Sequence, residues 1–258
     1  MSGLFDPTLL ARIEEAGLNA SAPPQQRLVD GWLLRFSPGK AKRARCINAI
    51  SPGRLTVPEK LALCQPVFDE AELPLIVRLT PFSQPADLDT QLEAMGMRVL
   101  DDTRVMVRTD LTGHRAPPLP AGVTLTPVGH EAFARTVGML RGSPLAQRQA
   151  HGQRLVMSPV PFAAHVLKRE GEVLACGQVA IEGGLVGLYD VFTATAARGQ
   201  GLARLLCSHL LEKAISRGAT SAYLQVESDN HPARAVYHRL GFTDAYAYHY
   251  RTQHPTAV

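Results

Sequence analysis

The 258-residue sequence is poor in cysteine, with four in all and no Cys-x-x-Cys pair. Cys46, Cys64, Cys176 and Cys207 each fall in an apolar helical or strand pattern. They read as reduced core thiols, which argues against both a disulfide framework and a zinc finger. His-Glu-x-x-His is absent, so His151, His165, His209, His231, His238 and His249 read as core or surface histidines and no metal is expected. Gly-x-Ser-x-Gly is missing too, which disfavours a Ser/His/Asp hydrolase. No apolar run is long enough to cross a bilayer. The opening Met-Ser-Gly-Leu-Phe-Asp lacks the basic segment and apolar core of a signal peptide. A cytoplasmic protein with no membrane partner is therefore expected. Charge is sparse as well: 19% of residues are charged and the net charge is +4. That mild basicity suits an anionic ligand but is too small and dispersed for nucleic acid. The densest basic run, Lys40 to Arg45, has four charges in six residues and reads as a solvated turn.

What is present is an ordinary globular composition, 45% hydrophobic, in a length that allows one large domain or two smaller ones. Pro7 to Ala16 has helical spacing with Asp6 as cap. Arg27 to Ser37 alternates like a strand, and Ser37-Pro-Gly-Lys is a turn. Arg45–Ile50 is a strand, Pro58–Ala71 a helix, Leu75–Leu79 a buried strand, Ala86–Met95 a helix stopped by Gly96, and Thr103–Arg108 a strand. The proline-rich stretch 114–122 has no periodicity and is predicted to link a first domain, 1–113, to a second, 123–258. Beyond it come a strand at Val123–Val128, helical material from His130 to Leu155, and a hairpin around Glu170-Gly171. The chain closes with strands at Leu185–Phe192, Ala222–Val226 and Ala245–Arg251 and helices at Leu202–Arg217 and Pro232–Leu240. A shift of 145 positions places Gly96 on Gly241, Leu79 on Leu224 and Met97 on Phe242 with the same element order, which points to an internal repeat. Asn230 then falls on Pro85, Tyr237 on Leu92, and the loop after Leu185–Phe192 on Gly53–Pro58.

The chemistry concentrates between Tyr189 and Phe242. A buried strand runs into the loop Ala196–Gly201 and then into a helix. Gly199 and Gly201 allow the backbone to approach a ligand closely. The helix start supplies free N–H groups suited to a phosphate, and Arg198 and Arg204 add charge. Neither the Walker pattern nor Gly-x-Gly-x-x-Gly is present, since Arg204 stands where the third glycine would be. The stretch instead resembles the acyl-CoA signature of the GNAT superfamily of N-acetyltransferases. Its Arg/Gln-x-x-Gly-x-Gly/Ala pattern appears as Arg198-Gly199-Gln200-Gly201-Leu202-Ala203, and its later pattern as Asn230, Ala233, Tyr237 and Gly241-Phe242.

The resemblance implies an α/β (α+β) fold of two GNAT-like domains, each a mixed, mostly antiparallel twisted sheet flanked by helices. The first copy would be degenerate, having lost its cofactor loop. The implied reaction is acetyl transfer from acetyl-CoA to a primary amine by direct attack in a ternary complex. Main-chain groups of Val191 and Thr193, flanking Phe192, would pair with the pantetheine arm. Amides from Gly199 through Gln200, Gly201 and Leu202 to Ala203 would hold the diphosphate beside Arg198 and Arg204. Asn230 and Ala233 would stand by the cofactor, and Tyr237 would be the general acid at the CoA sulfur. A phenol, ordinarily titrating near pH ~10, stays protonated at neutrality and can donate. Glu227 and Asp190 are the carboxylates near the strand ends and the candidate bases, with a solvated charge or an ion pair to Arg198 or Arg234 as the competing reading. The acceptor would be a small-molecule or peptide amine, without nucleic acid or metal, and the protein a monomer or homodimer. A non-catalytic acyl-CoA-binding or regulatory protein and a transferase of a longer acyl group remain alternatives.

Overall fold

The computed structural model describes residues 5–37 and 41–253. In chain order the regular elements begin with α1 (Pro7–Ala20), β1 (Gln26–Val29), β2 (Trp32–Arg35), β3 (Ile47–Ala49), α2 (Val57–Glu70), β4 (Ile76–Leu79), α3 (Leu88–Ala94) and β5 (Arg98–Arg108). They continue with β6 (Val123–Val128), α4 (His130–Leu140), α5 (Leu145–Val156), β7 (Phe162–Arg169), β8 (Glu172–Glu182) and β9 (Leu185–Thr193). The last are α6 (Leu202–Ile215), β10 (Ser221–Glu227), α7 (His231–Arg239) and β11 (Thr243–Thr252). The fold is a mixed α/β one with a mostly antiparallel sheet flanked by helices, as expected.

The eleven strands of the described residues join in one sheet, in the order β1-β2-β3-β4-β11-β5-β10-β9-β8-β7-β6. Two pairs are parallel, β3 with β4 and β9 with β10; the rest are antiparallel. The middle of the sheet is interlaced. β11, from the end of the chain, lies between β4 and β5, and β5 in turn separates β11 from β10. The 145-residue shift carries 57–70 onto 202–215, the bounds of α2 and α6, and 98 onto 243, the first residues of β5 and β11. Those two strands pair antiparallel with Thr103 opposite Tyr248, positions that the same shift superposes. The sheet therefore has an approximate two-fold centre at that pair.

Three local expectations need correction. Arg27–Ser37 is a hairpin rather than one strand. Asp30 and Gly31 take φ of 41° and 83°, the left-handed pair of a tight two-residue turn, and Val29 then pairs with Trp32. The strand expected to begin at Thr103 begins at Arg98, because β11 supplies hydrogen-bond partners that a polar run cannot advertise. The helical stretch 130–155 is two helices broken at Gly142, whose φ is 67°. Of the turn expected at Ser37–Lys40, residues 38–40 lie outside the described ones. The stretch 114–122 is irregular but docked on α6: His114 Nε2 meets the Ser208 carbonyl at 2.9 Å and the Ala116 N–H donates to Glu212 at 3.2 Å. All four cysteines are free and buried.

The sheet packs its apolar faces under α6 on one side, with Leu206, Leu210 and Leu211 fully buried, and under α1 on the other. Gly177 lets α6 come close, since an added Cβ would sit 3.2–3.3 Å from Leu210 and Leu206. One buried ion pair ties α1 to the sheet. Arg78 of β4 donates to both carboxylate oxygens of Glu14, and the Tyr246 hydroxyl donates to Glu14 Oε2 at 2.7 Å. Burial pushes the Glu14 carboxyl up, but Arg78 and Tyr246 outweigh that and hold it below its ordinary value.

Candidate active site

The site begins where two parallel strands part. The β9–β10 ladder ends at Leu188 opposite Leu224, yet β9 runs on to Thr193 and β10 to Glu227. A bulge opens the gap. On β9, Asp190 and Val191 together face the single Gly177 of β8, and Asp190 has a φ of 50°. Left-handed backbone is uncommon outside glycine, and aspartate and asparagine tolerate it best. The parted strands line a cavity of about 620 Å³, which also reaches residues 41–45 and the helices α5 and α7.

Most of the residues expected from sequence come together here. Asp190, Val191, Phe192, Glu227, Asn230, Ala233 and Tyr237 all line the cavity. Thr193 ends β9 beside them and is half-buried. The loop Arg198–Arg204 does not line the cavity but follows β9 directly and opens to solvent. Gly199 and Gly201 have φ of 78° and 74°, and an added Cβ at either would meet nothing within 4 Å. Gly201 is the N-cap of α6, so the N–H groups of Leu202 and Ala203 start that helix. Gln200 is exposed, as are Arg198 and Arg204; the Arg198 guanidinium lies 5.6 Å from the Phe192 ring centroid. The arrangement is an anion-ready helix start following a strand whose edge toward β10 has no ladder partner beyond Leu188.

Tyr237 projects from α7 and is 9% exposed. Burial raises its phenol above the ordinary value, with Cys207 adding to the shift, so the hydroxyl is held in its protonated form. That hydroxyl has no hydrogen-bond partner among the described residues and borders the cavity. Asn230 caps α7 by accepting from the Ala233 N–H at 3.2 Å. Its amide group thus retains donors for a ligand while its oxygen is already engaged.

The two carboxylates differ sharply. Asp190 accepts from Arg141 Nη1 at 2.9 Å and Gln178 Nε2 at 2.7 Å, and His151 Nε2 is 3.3 Å away. Burial pushes its carboxyl up, but His151, Arg141 and Arg154 more than reverse this and hold it far below the carboxylate range. Such a group takes a proton from an amine poorly. Arg198 is not its partner; nor does Arg234 pair with Glu227, since Arg234 binds Asp244 at 2.6 Å. Glu227 is exposed at the end of β10, and its side chain makes no hydrogen bond or ion pair among the described residues.

Several cavity residues were not singled out from sequence. Arg141 directly follows α4, Arg154 lies on α5, and Arg43 and Arg45 come from the basic run near residue 42, while His151 of α5 reaches Asp190 from outside the cavity lining. That run is not simply a solvated turn. Arg43 donates to the Tyr248 hydroxyl at 3.1 Å, and Lys42 pairs with Asp101 at 2.7 Å. The Tyr248 hydroxyl donates onward to Gln225 at 3.0 Å. Of the tyrosines alternating along β11, Tyr248 and Tyr250 line the cavity and Tyr246 is spent on Glu14. The i, i+3 spacing of His151 and Arg154 on one helix face was the available sequence signal. Among the described residues no group of three His, Cys, Asp or Glu is placed to hold a metal, and no helix is long and apolar enough to cross a membrane.

Comparison with known proteins agrees with this geometry. The Acetyltransferase (GNAT) family matches residues 141–242. A mycothiol acetyltransferase of Nocardioides sp. is 47% identical over 58 residues, which are 22% of this chain and 20% of that protein. A 5-NmdU N-acetyltransferase of Pseudomonas phage PaMx11 is 36% identical over 83 residues, 31% of this chain and 57% of the other. The chain thus matches only a fifth to somewhat over half of the length of these relatives. Among solved structures, a GCN5-related N-acetyltransferase from Kribbella flavida superposes with a TM-score of 0.69 at 21% identity, covering 94% of both chains. A tandem GNAT protein from the clavulanic acid biosynthesis pathway gives 0.62 at 21% identity, covering 78% of this chain and 71% of its own. At that identity the two structures speak for the fold. The segment from Arg141 to Phe242, which holds the parted strands, the glycine loop and Tyr237, is the part of the chain that matches the Acetyltransferase (GNAT) family.

Proposed function

We propose that the protein is an N-acetyltransferase that moves an acetyl group from acetyl-CoA to a primary amine by direct attack in a ternary complex. The observation that carries this reading is the cleft between β9 and β10, where the β10-facing edge of 189–193 has no strand partner while its other edge pairs with β8, and a glycine loop lies beyond it. The cosubstrate supplies an activated thioester. Main chain at Val191 and Thr193 would hold its pantetheine arm as an added strand. The N–H groups from Gly199 to Ala203, with Arg198 and Arg204, would hold the diphosphate. Those residues fit the group: the loop is open, and its glycines have the left-handed backbone that turns N–H groups outward.

Glu227 is the proposed base. It is the one cavity carboxylate with no ion-pair partner among the described residues, and it receives the amine proton directly or through water. Asp190 becomes a positioning residue that fixes Arg141 and His151 against the bulge. Tyr237 is the proposed acid, its hydroxyl kept protonated and unspent for the departing thiolate. The N-terminal half, 1–113, is proposed as the degenerate GNAT-like copy, since the loop equivalent to 198–203 is Gly53–Pro58, with Gly53 in place of Arg198. A cytoplasmic protein acting as a monomer or homodimer is consistent with this reading.

Tyr237→Phe tests the assignment. General acid–base groups contribute roughly 10²- to 10⁴-fold to rate. Turnover, read as free thiol release over a panel of amines, should fall by at least about 100-fold with acetyl-CoA affinity unchanged. Wild-type protein that binds acetyl-CoA yet acetylates no amine would instead favour a non-catalytic binder. A stronger response to succinyl-CoA than to acetyl-CoA would change the acyl group.

A further inference from the structure

Charge is out of balance on one wall of the cavity. Lys42 is matched by Asp101, and Arg141 by Asp190. Arg43, Arg45 and Arg154 have no carboxylate within ion-pair distance among the described residues. Arg43 gives one N–H to the Tyr248 hydroxyl, while its Nε is buried and unbonded. The Nε of Arg45 is buried and unbonded as well. Arg154 donates to the Ala20 carbonyl at 3.4 Å, and the carboxylate charge that acts on it is that of Asp190, which Arg141 and His151 already share. Arg35, close enough to interact electrostatically with Arg154, is 2% exposed and leaves Nε and Nη1 without partners. Glu14, the buried carboxylate whose charge reaches Arg35, is already committed to Arg78.

A guanidinium does not shed its proton at any physiological pH, so it cannot relieve burial by becoming neutral. Buried charge costs several kcal/mol unless an opposite charge meets it. A group of unmatched guanidiniums around a cavity therefore calls for an anion. The diphosphate of the cosubstrate is not the natural candidate, because its proposed loop, Arg198–Arg204, does not line this cavity. The cavity, about 620 Å³, is of small-molecule size.

We propose that the acceptor is a small primary amine that also carries an anionic group, a carboxylate or a phosphate monoester, received by Arg43, Arg45 and Arg154 while the amine faces Glu227 and Tyr237. This rests on the N-acetyltransferase reading and narrows it. Polyamines, aminoglycosides and basic peptide termini are poor acceptors, because each would add positive charge to a wall that already has an excess.

The test uses the full chain with saturating acetyl-CoA and matched pairs of amines: phosphoethanolamine against ethanolamine, and glycine against glycinamide, with spermidine as polycation. Thiol release gives kcat/KM, and isothermal titration of the same amines into the CoA-loaded protein gives Kd. A hydrogen bond to a charged group is worth enough for a tenfold effect. The anionic member of at least one pair should therefore be favoured by about 10-fold or more in Kd and in kcat/KM. Whichever pair responds distinguishes phosphate from carboxylate. Arg154→Gln and Arg45→Gln should each raise the KM or Kd of that acceptor by roughly 10-fold while the KM for acetyl-CoA stays within about twofold. Far-UV circular dichroism checks folding, and two variants from separate elements guard against one of them failing to fold. A preference for ethanolamine, glycinamide or spermidine would overturn the acceptor class and leave N-acetyl transfer standing. So would arginine variants that raise the KM for acetyl-CoA instead. Failure of both anionic amines to bind the CoA-loaded protein would also overturn it. Absence of any affinity for acetyl-CoA would overturn the transferase reading together with it.

Discussion

Replacing Asp190 by Asn separates a residue that holds the site together from one that takes protons. Asparagine keeps the shape of the side chain and tolerates the φ of 50°, so the bulge in β9 should survive. What goes is the charge facing Arg141, His151 and Arg154. Hydrogen bonds to charged groups are worth about 1.5–3 kcal/mol each. Arg141 and Asp190 have side chains 32% and 20% exposed, however, so solvent screens part of the interaction. Asparagine also retains one acceptor for Gln178 or Arg141. The net expectation is a loss of about 2 kcal/mol, read as a lower midpoint at constant slope in urea unfolding. The sign with pH follows from a folded-state carboxyl held far below its unfolded value near ~3.9. The stabilisation is fully present above that unfolded value and is lost as pH falls through the folded one. The gap between wild type and variant should thus begin to shrink as pH falls below about 4. Turnover should fall by less than about tenfold, since removing a true base costs roughly 10²- to 10⁴-fold. A 100-fold drop in kcat with no change in stability would refute this and make Asp190 the base.

Three further outcomes are expected. Glu227→Gln should lower kcat by about 10²-fold or more with the midpoint of urea unfolding unchanged, because its side chain is exposed and unpaired; an active variant removes Glu227 as base. Glu14→Ala leaves Arg78 buried without its carboxylate and should cost about 3–5 kcal/mol by denaturant titration, and a loss under about 1 kcal/mol would contradict the buried pair. Gly187→Ala would set a methyl 2.5 Å from the Tyr189 ring and 2.7 Å from that of Tyr223, so thermal unfolding should show a loss of about 1–3 kcal/mol, or more if neither ring can move.

How much of this was legible beforehand depended on whether the information was local. Caps, apolar period and glycine stops mark α2, α6 and α7 within a residue or two, and the motif from Arg198 to Phe242 carries its own spacing. The Asp30-Gly31 turn was also local but was masked by continuous alternation of apolar residues on either side. The pairing of β11 with β4 and β5 left no such mark, because hydrogen bonds between strands so distant in sequence are set by main chain and not by residue type. For the same reason the motif led to Tyr237 and Asn230 but not to Arg43, Arg141 or Arg154, which enter the cavity from elements far along the chain. The left-handed backbone at Asp190 follows from the bulge opposite Gly177 and is invisible in its identity.

The interlacing at the centre of the sheet bears on how the protein is made. When β4 leaves the ribosome, the neighbour that will cover its outer edge has not been synthesised; that partner is β11, which begins only at Thr243. At roughly 5–20 residues per second the nascent chain must wait on the order of ten seconds with that edge bare. β5 likewise emerges before both of its neighbours. A chain that stopped short of β11 would therefore strand a row of unpaired amides and carbonyls in the middle of the sheet rather than at its rim. Such products should be prone to aggregation and should recruit chaperones.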